Sequence, residues 1–415
     1  MGMTVTEKII AANSGQDAVS AGDIAVVDVA LACIDDIQFS IFQQRLRDLG
    51  DRILAPERVL LIADHYLPPS GVDEAQIVRS LDLFGRERGL PTMLRDGIKH
   101  PVFIEKRLAR PGSILVATDS HTNTAGAVSA VAVALGPTDV AAVFATGRTW
   151  LRVPASIRFE IDGVLPPFVL PSDVAFTLLG TYGREFATYR AIEWAGSTIE
   201  AMDLSGRMTL CNLTTEFGAK SGIVSADAVT EEYAGDMEGA AFYRSDPDAA
   251  YERVLRHDAA AFEPVVAAPP SPANVHAVTE FRGTHIDQAY LGSCTHGTLE
   301  DMHRAADVLR GRRIHPNVRM IVTPPTQLVY EAALRDGTLS ALVDAGATVT
   351  SPGCGSCPGM HEGTLADGEV RISTQNRNFI GRSGHPGSQV YLASPITVAA
   401  AAIAGEIVHP ADVAR

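Results

Sequence analysis

The stretch Val59-Leu-Leu-Ile-Ala-Asp-His65 decides the fold class of this 415-residue chain. Its apolar, largely branched run reads as a strand buried on both faces, and it leads directly into an acid and a histidine. Three other segments repeat the pattern. Ser113-Ile-Leu-Val-Ala117 leads into Asp119-Ser120-His121, Ala289-Tyr-Leu291 into Gly292-Ser293-Cys294, and Ala347-Thr-Val-Thr350 into Cys354 and Cys357. Helical patterns fill the gaps. Residues 4–12 read as a first helix. Residues 298–309 place Leu299, Met302, Ala305, Ala306 and Leu309 at helical spacing behind Thr298 as N-cap. Strands alternating with helices predict an α/β fold with mostly parallel sheets flanked by helices. In such sheets ligands collect beyond the carboxyl ends of strands, so four reactive strand ends that converge would form one site.

A chain this long exceeds one ordinary core. Proline-rich Glu263-Pro-Val-Val-Ala-Ala-Pro-Pro-Ser-Pro-Ala-Asn274 reads as a linker, and Leu165-Pro-Pro-Phe-Val-Leu-Pro171 as a second break. Three α/β domains follow, residues 1–167, 168–270 and 271–415. A content of 46% hydrophobic and 20% charged residues is that of a soluble globular protein. The net charge of −15 argues against general nucleic-acid affinity, which needs basic surface. An anionic substrate would therefore need a local group of Arg, His or metal. No apolar run approaches the length of a membrane span, and the N-terminus lacks the basic and apolar segments of a signal peptide. It matches the loose myristoylation pattern Met-Gly-x-x-x-Thr, but an ordinary first helix is the better reading. Five cysteines, an odd number in a long chain, do not form a disulfide framework; a reducing cytoplasm is expected.

Three of those cysteines carry most of the chemistry. Cys294 lies in Gly-Ser-Cys-Thr-His-Gly, and Cys354 and Cys357 in Pro-Gly-Cys-Gly-Ser-Cys-Pro-Gly. Three thiolates are one short of the usual four around a [4Fe–4S] cluster, and an iron without a protein thiolate acts on substrate as a Lewis acid. A zinc site competes with this reading, although structural zinc takes a closed set of four ligands. So does a pair of structural thiols with an unrelated third. Cys33 and Cys211 lie in apolar contexts and read as buried bystanders.

Acid–histidine pairs form the second constellation: Asp64-His65, Asp119-x-His121, and a lone His100 in Asp-Gly-Ile-Lys-His. A carboxylate beside an imidazole holds its tautomer and raises its pKa, which suits proton delivery to a leaving hydroxyl. Third is Gln375-Asn-Arg-Asn-Phe-Ile-Gly-Arg382. Arg377 and Arg382 offer planar forks for carboxylates, and Asn376 and Asn378 could orient one. A polar turn with surface arginines is the competing reading. Last, Asn212 and Glu216 are four residues apart and are expected on one helix face.

Together these segments resemble the aconitase superfamily over nearly the whole chain, most closely the large subunits of its two-subunit isopropylmalate and homoaconitate isomerases. Gly384-His-Pro386 and Tyr391-Leu-Ala-Ser-Pro395 extend the likeness. The resemblance implies a three-domain core without the swivelling fourth domain. It implies a [4Fe–4S] cluster on Cys294, Cys354 and Cys357 with one open iron, and Asn212, Asn376 and Asn378 around it. By the same resemblance, His65 oriented by Asp64 protonates the departing hydroxyl. Asp119 with His100, and Glu216 with His121, form further paired groups, and Arg377, Arg382 and Ser120 bind substrate.

The implied reaction is hydro-lyase chemistry: dehydration of a 2-hydroxy di- or tricarboxylate and rehydration at the neighbouring carbon. A separate small swivelling-domain subunit, in a heterodimer or heterotetramer, supplies the base. The chain departs from the family pattern at His296, where relatives have Asn, at Lys99, and around Cys33–Asp36. A dehydratase of a specialised malate analogue, dimethylmalate-like or phosphorus-containing, therefore stands as an alternative. An iron-sensing RNA-binding protein and a cluster-free scaffold subunit are the non-enzyme readings, with the acidic charge and the intact cysteine triad against them.

Overall fold

The computed structural model describes residues 2–413. The chain forms two compact units. One comprises Met1–Leu94, Val102–Gly163 and Glu185–Ala259; the other comprises Arg95–Pro101, Val164–Arg184 and Ala260–Arg415.

The first unit opens as expected with the helix Val5–Ser14, whose start is fixed by a reciprocal pair. Thr4 Oγ1 accepts the Glu7 N–H, and the Glu7 carboxylate accepts the Thr4 N–H. The unit's five-stranded sheet runs in the order Thr92–Met93, Val59–Ile62, Leu31–Asp35, Ile114–Ala117, Val131–Ala134, and every pairing is parallel. The first of these five strands in the chain, Leu31–Asp35, is central, with the next two to one side and the last two to the other. This is a doubly wound order, and the winding reverses between Leu31–Asp35 and Ile114–Ala117. Val59–Ile62 and Ile114–Ala117 are buried at every position, which explains their unbroken apolar sequence. Phe39, Phe42, Phe84 and Phe144 pack edge to face or tilted at 4.7–6.2 Å and seal the helices beside the sheet.

A second parallel sheet in this unit has the order Ser221–Val224, Ala191–Ala195, Ser156–Asp162, Arg253–Asp258. The two sheets meet through the 3₁₀ helix Ser120–Val128. A Cβ on Gly126 would lie 1.7 Å from the Gly222 carbonyl oxygen, so only glycine permits this approach.

In the second unit a seven-stranded sheet has the order Val275–Ala277, Val265–Ala267, Gln389–Leu392, Val370–Ser373, Gln288–Leu291, Arg319–Val322, Thr348–Val349. Its five later strands are parallel and repeat the doubly wound order of the first unit, with the reversal between Gln288–Leu291 and Val370–Ser373. The helix Leu299–Leu309 has Thr298 as its N-cap, as expected, and buries Met302, Ala305, Ala306 and Leu309. The helix Pro395–Ala404 is buried through Ala402, matching its nearly all-apolar sequence.

Two expectations need correction. The proline-rich stretch is not a linker. Val265–Ala267 is a buried strand that pairs antiparallel with Val275–Ala277 and with Leu392. The prolines flank the strand or lie in the hairpin loop, where no ladder N–H is needed. Glu216 also does not share an α-helix with Asn212. That helix ends at Leu213, and Glu216 follows on the 3₁₀ turn Thr214–Phe217. Among the described residues no helix is long and apolar enough to cross a membrane.

Candidate active site

In the first unit the sheet reversal brings together the loops after Leu31–Asp35, Val59–Ile62 and Ile114–Ala117. His65 Nδ1 lies 2.8 Å from Asp64 Oδ1 and 3.4 Å from Asp36 Oδ1. Its Nε2 lies 3.6 Å from Asp119 Oδ2. Asp64 and Asp36 are fully buried, whereas the His65 side chain keeps 14% exposure, so the imidazole is the group that a small molecule can reach.

Asp36 was not anticipated as a site residue. Its carboxylate accepts the backbone N–H groups of Asp64, His65 and Tyr66 at 3.0, 3.2 and 2.8 Å. Three N–H donors satisfy the buried carboxylate and clamp the turn that carries His65. Burial, then the Asp36 charge, push the Tyr66 phenol up from its usual value. Asp35 caps the next helix by accepting the Gln38 N–H at 3.0 Å, and it accepts the Thr118 hydroxyl at 2.7 Å. The segment Leu31-Ala-Cys-Ile-Asp-Asp36 has the same apolar-run-then-acid pattern as the other strand ends, so the signal was present in the sequence.

Asp119 joins His65 to a second pair. Its Oδ1 accepts the His121 backbone N–H at 2.7 Å and lies 3.5 Å from His121 Nδ1. His121 Nε2 lies 3.1 Å from Glu216 Oε1, and both side chains are buried. Glu216, His121, Asp119, His65 and Asp64 therefore form a continuous chain of carboxylates and imidazoles. Such a chain can deliver a proton at His65 Nε2 and replenish it from within. Ser120 Oγ lies 3.4 Å from His121 Nδ1, and the Ser120 carbonyl accepts the Thr215 hydroxyl at 2.5 Å. Asn212 is fully buried and donates to Thr124 Oγ1 at 2.9 Å, bracing the 3₁₀ helix.

His100 belongs to the second unit, buried near the start of the helix Lys99–Glu105. Lys99 is fully buried beside it.

At the reversal of the second unit's sheet, the loop after Gln288–Leu291 carries Cys294 and the loop after Val370–Ser373 carries Asn376. The Asn376 amide donates to Cys294 Sγ at 3.5 Å, and its oxygen lies 3.8 Å from Cys357 Sγ. None of the three cysteines of the triad forms a disulfide. Thr374 ties the loops together. Its hydroxyl donates to the Gly292 carbonyl and accepts the Gly292 N–H, both at 2.9 Å, while its carbonyl accepts the Ser293 hydroxyl at 3.0 Å.

His296 also faces the Thr374 carbonyl, with Nδ1 at 3.0 Å. Burial pushes its pKa down to about 4, so the ring is neutral at neutral pH and donates from Nδ1. It braces the cysteine loop. Gly355, inside the C-x-x-C, has φ +51°, and a Cβ there would lie 2.6 Å from Thr323 Oγ1.

Sulfur donors gathered on tight, glycine-bearing loops fit an iron–sulfur cluster.

Arg377 and Arg382 lie partly exposed in the segment after Asn376. The Arg377 carbonyl accepts the Gln375 side-chain N–H at 2.5 Å. Asn378 is buried and donates to the Ala267 carbonyl at 3.1 Å, joining this segment to the hairpin strand. The buried Arg371 was not anticipated; its only sequence signal is a charge inside the apolar strand Val370-Arg-Ile-Ser373.

A family model described as the aconitase family (aconitate hydratase) matches residues 7–282 and 278–405. The large subunit of 3-isopropylmalate dehydratase from Methanopyrus kandleri is 46% identical, with 99% of each chain covered. The corresponding subunit from Sulfurihydrogenibium sp. is 42% identical over 100% of this chain and 98% of its own. A probable methanogen homoaconitase large subunit from Methanothermobacter thermautotrophicus is 43% identical over 98% and 97%.

Proposed function

The chain belongs to the aconitase family, and from that premise we propose that it is the large subunit of a [4Fe–4S]-dependent hydro-lyase. It dehydrates and rehydrates a 2-hydroxy di- or tricarboxylate of the 3-isopropylmalate or homocitrate type. The observation that carries this reading is the run of carboxylates and imidazoles from Glu216 to Asp64, built at strand ends. An RNA-binding or scaffold role gives no reason for that arrangement.

In the reaction, His65 Nε2 delivers the proton to the departing hydroxyl. Asp64 and Asp36 accept the proton on Nδ1, fix the ring orientation and stabilise the imidazolium, the form whose Nε2 carries a proton to deliver. Asp119 carries charge between His65 and His121, and Glu216 stabilises His121 when it is cationic. Arg377 and Arg382, with Ser120, bind substrate carboxylates through planar, charge-assisted hydrogen bonds. Cys294, Cys354 and Cys357 hold the cluster, with Asn376 donating to the Cys294 sulfur and Asn212 and Asn378 supporting the surrounding loops. When bound, a cluster held by three thiolates supplies Lewis-acid polarisation of hydroxyl and carboxylate at its remaining iron. The pairing of His100 with Asp119 is part of the same proposal.

A small swivelling-domain partner supplies the base that removes the proton next to a carboxylate. This chain alone is then inactive or nearly so. A reducing cytoplasm is the compartment that keeps these thiols available.

Coexpression with a small subunit, anaerobic reconstitution and NMR of the products test the proposal. Two interconverting hydroxy acids are expected. An alkene as sole product would favour the dehydratase of a malate analogue, and no turnover by a cluster-loaded complex on any such acid would overturn the reading.

A further inference from the structure

Arg371 is among the largest fully buried side chains of the protein, and the reaction described above gives it no role. All five of its N–H donors are accounted for. Nε donates to Gln288 Oε1 at 2.6 Å. Nη1 donates to the Ser356 carbonyl at 3.1 Å and Gln375 Oε1 at 3.3 Å. Nη2 donates to Ser356 Oγ and the Gly363 carbonyl, each at 2.5 Å. Every acceptor is neutral. Among the described residues no carboxylate pairs with this guanidinium; Glu369 acts on it only from a distance.

A buried cation held by dipoles alone is costly, because dipoles do not replace the water it has lost. The groups around it show where the balancing negative charge belongs. Ser356, gripped through both carbonyl and hydroxyl, lies between Cys354 and Cys357 in the C-x-x-C. The Tyr290 ring, 5.5 Å from the guanidinium carbon, donates its hydroxyl to the Cys354 carbonyl at 3.1 Å. Burial pushes the Arg371 pKa down to about 10, so the neutral groups around it do not replace the water it has lost.

We infer that Arg371 is a positioning residue whose buried positive charge is balanced by the thiolate-held cluster. It fixes the C-x-x-C loop through Ser356 and stabilises the negative charge gathered on the sulfurs. The inference rests on the cluster reading above and extends it to a residue in no direct contact with substrate. A thiolate-bound cluster becomes more negative when it takes up an electron, so a nearby cation makes reduction easier and the Cys thiolates better ligands.

The test uses the full chain, reconstituted anaerobically with iron and sulfide, as wild type, Arg371→Gln, Arg371→Lys and Gln288→Glu. Three quantities are measured: bound iron, the rate of iron loss to a chelator, and the midpoint potential of one-electron reduction followed by EPR. Arg371→Gln is expected to shift the potential negative and to lose iron about 10–100-fold faster. Arg371→Lys keeps the charge and gives up the fork on Ser356, so its potential stays near that of wild type while iron is lost faster. Gln288→Glu places a carboxylate against Nε without emptying the site, and it is expected to shift the potential in the same direction as Arg371→Gln. If Arg371→Gln does not fold, Gln288→Glu decides the matter. Wild-type potentials and retention in these variants, with a fully loaded wild type, would overturn the inference alone. A folded wild type that takes up no cluster would overturn the functional reading and this inference with it.

Discussion

The first and second units wind their parallel strands in the same order and put different chemistry at the reversal. In the first unit the loops carry hard, proton-exchanging groups: Asp36, His65 and Asp119. In the second they carry soft sulfur: Cys294 and Cys357 about the amide of Asn376. The supporting groups differ accordingly. A buried anion, Asp36, holds the histidine turn by accepting three backbone N–H groups. A buried cation, Arg371, holds the cysteine loop by donating to Ser356 and Gly363. Under the proposed function each buried charge has the sign its site would need: Asp36 opposite a protonated imidazole, Arg371 opposite a set of thiolates. The topology provides the place, and the residues at the strand ends decide what can happen there.

If the two regions have separable tasks, their variants should fail separately. The largest effect is expected at the sulfur site. Cys354→Ser should abolish cluster binding, so that reconstituted protein holds little of the roughly four irons expected per wild-type chain, as iron and sulfide analysis would show. Iron retained at wild-type levels would break the assignment.

Next comes His65→Gln. Iron content should remain that of wild type while turnover with the small subunit falls about 10²–10⁴-fold, the range for a lost general acid. Equal loss of iron in this variant would erase the distinction between the two regions.

Asp36→Asn should be intermediate. The three N–H donors lose their anionic acceptor, at a cost of about 1–3 kcal/mol in denaturant unfolding. Turnover should fall by less than in His65→Gln, with iron content unchanged.

The second unit has its own pH dependence through Asp173. Burial raises its pKa to about 7, while its carboxylate accepts the Leu170 and Val265 N–H groups at 2.8 and 3.1 Å. A folded pKa above the unfolded value means that the folded state binds the extra proton. Stability from this group is therefore present below pH about 4 and is lost as pH rises through about 7. Asp173→Asn should flatten the stability curve between these values, which urea titrations at several pH values would reveal; an unchanged slope would sink the assignment. The smallest effect is expected for Thr298→Ala, which removes the N-cap of Leu299–Leu309 and should cost about 1 kcal/mol in thermal unfolding.

The sequence by itself determined the α/β class, the strand ends, and the residue types delivered to them. Unbroken apolar runs such as Val59–Ile62 must be buried on both faces, and capped amphipathic runs such as Leu299–Leu309 must be helices with one face inward. These are local consequences of side-chain periodicity. Tertiary structure alone decided which strand lies beside which, and therefore which reactive ends meet. It showed the proline-rich stretch to be a hairpin strand, because pairing with Leu392 depends on a segment more than a hundred residues away. It gave Asp36 and Arg371 their roles, because a charge inside an apolar run acquires meaning only from the donors and acceptors around it in space. The backbone N–H groups beyond Asp64 and the Ser356 carbonyl are present in any reading of the chain, but only folding places them against a buried charge.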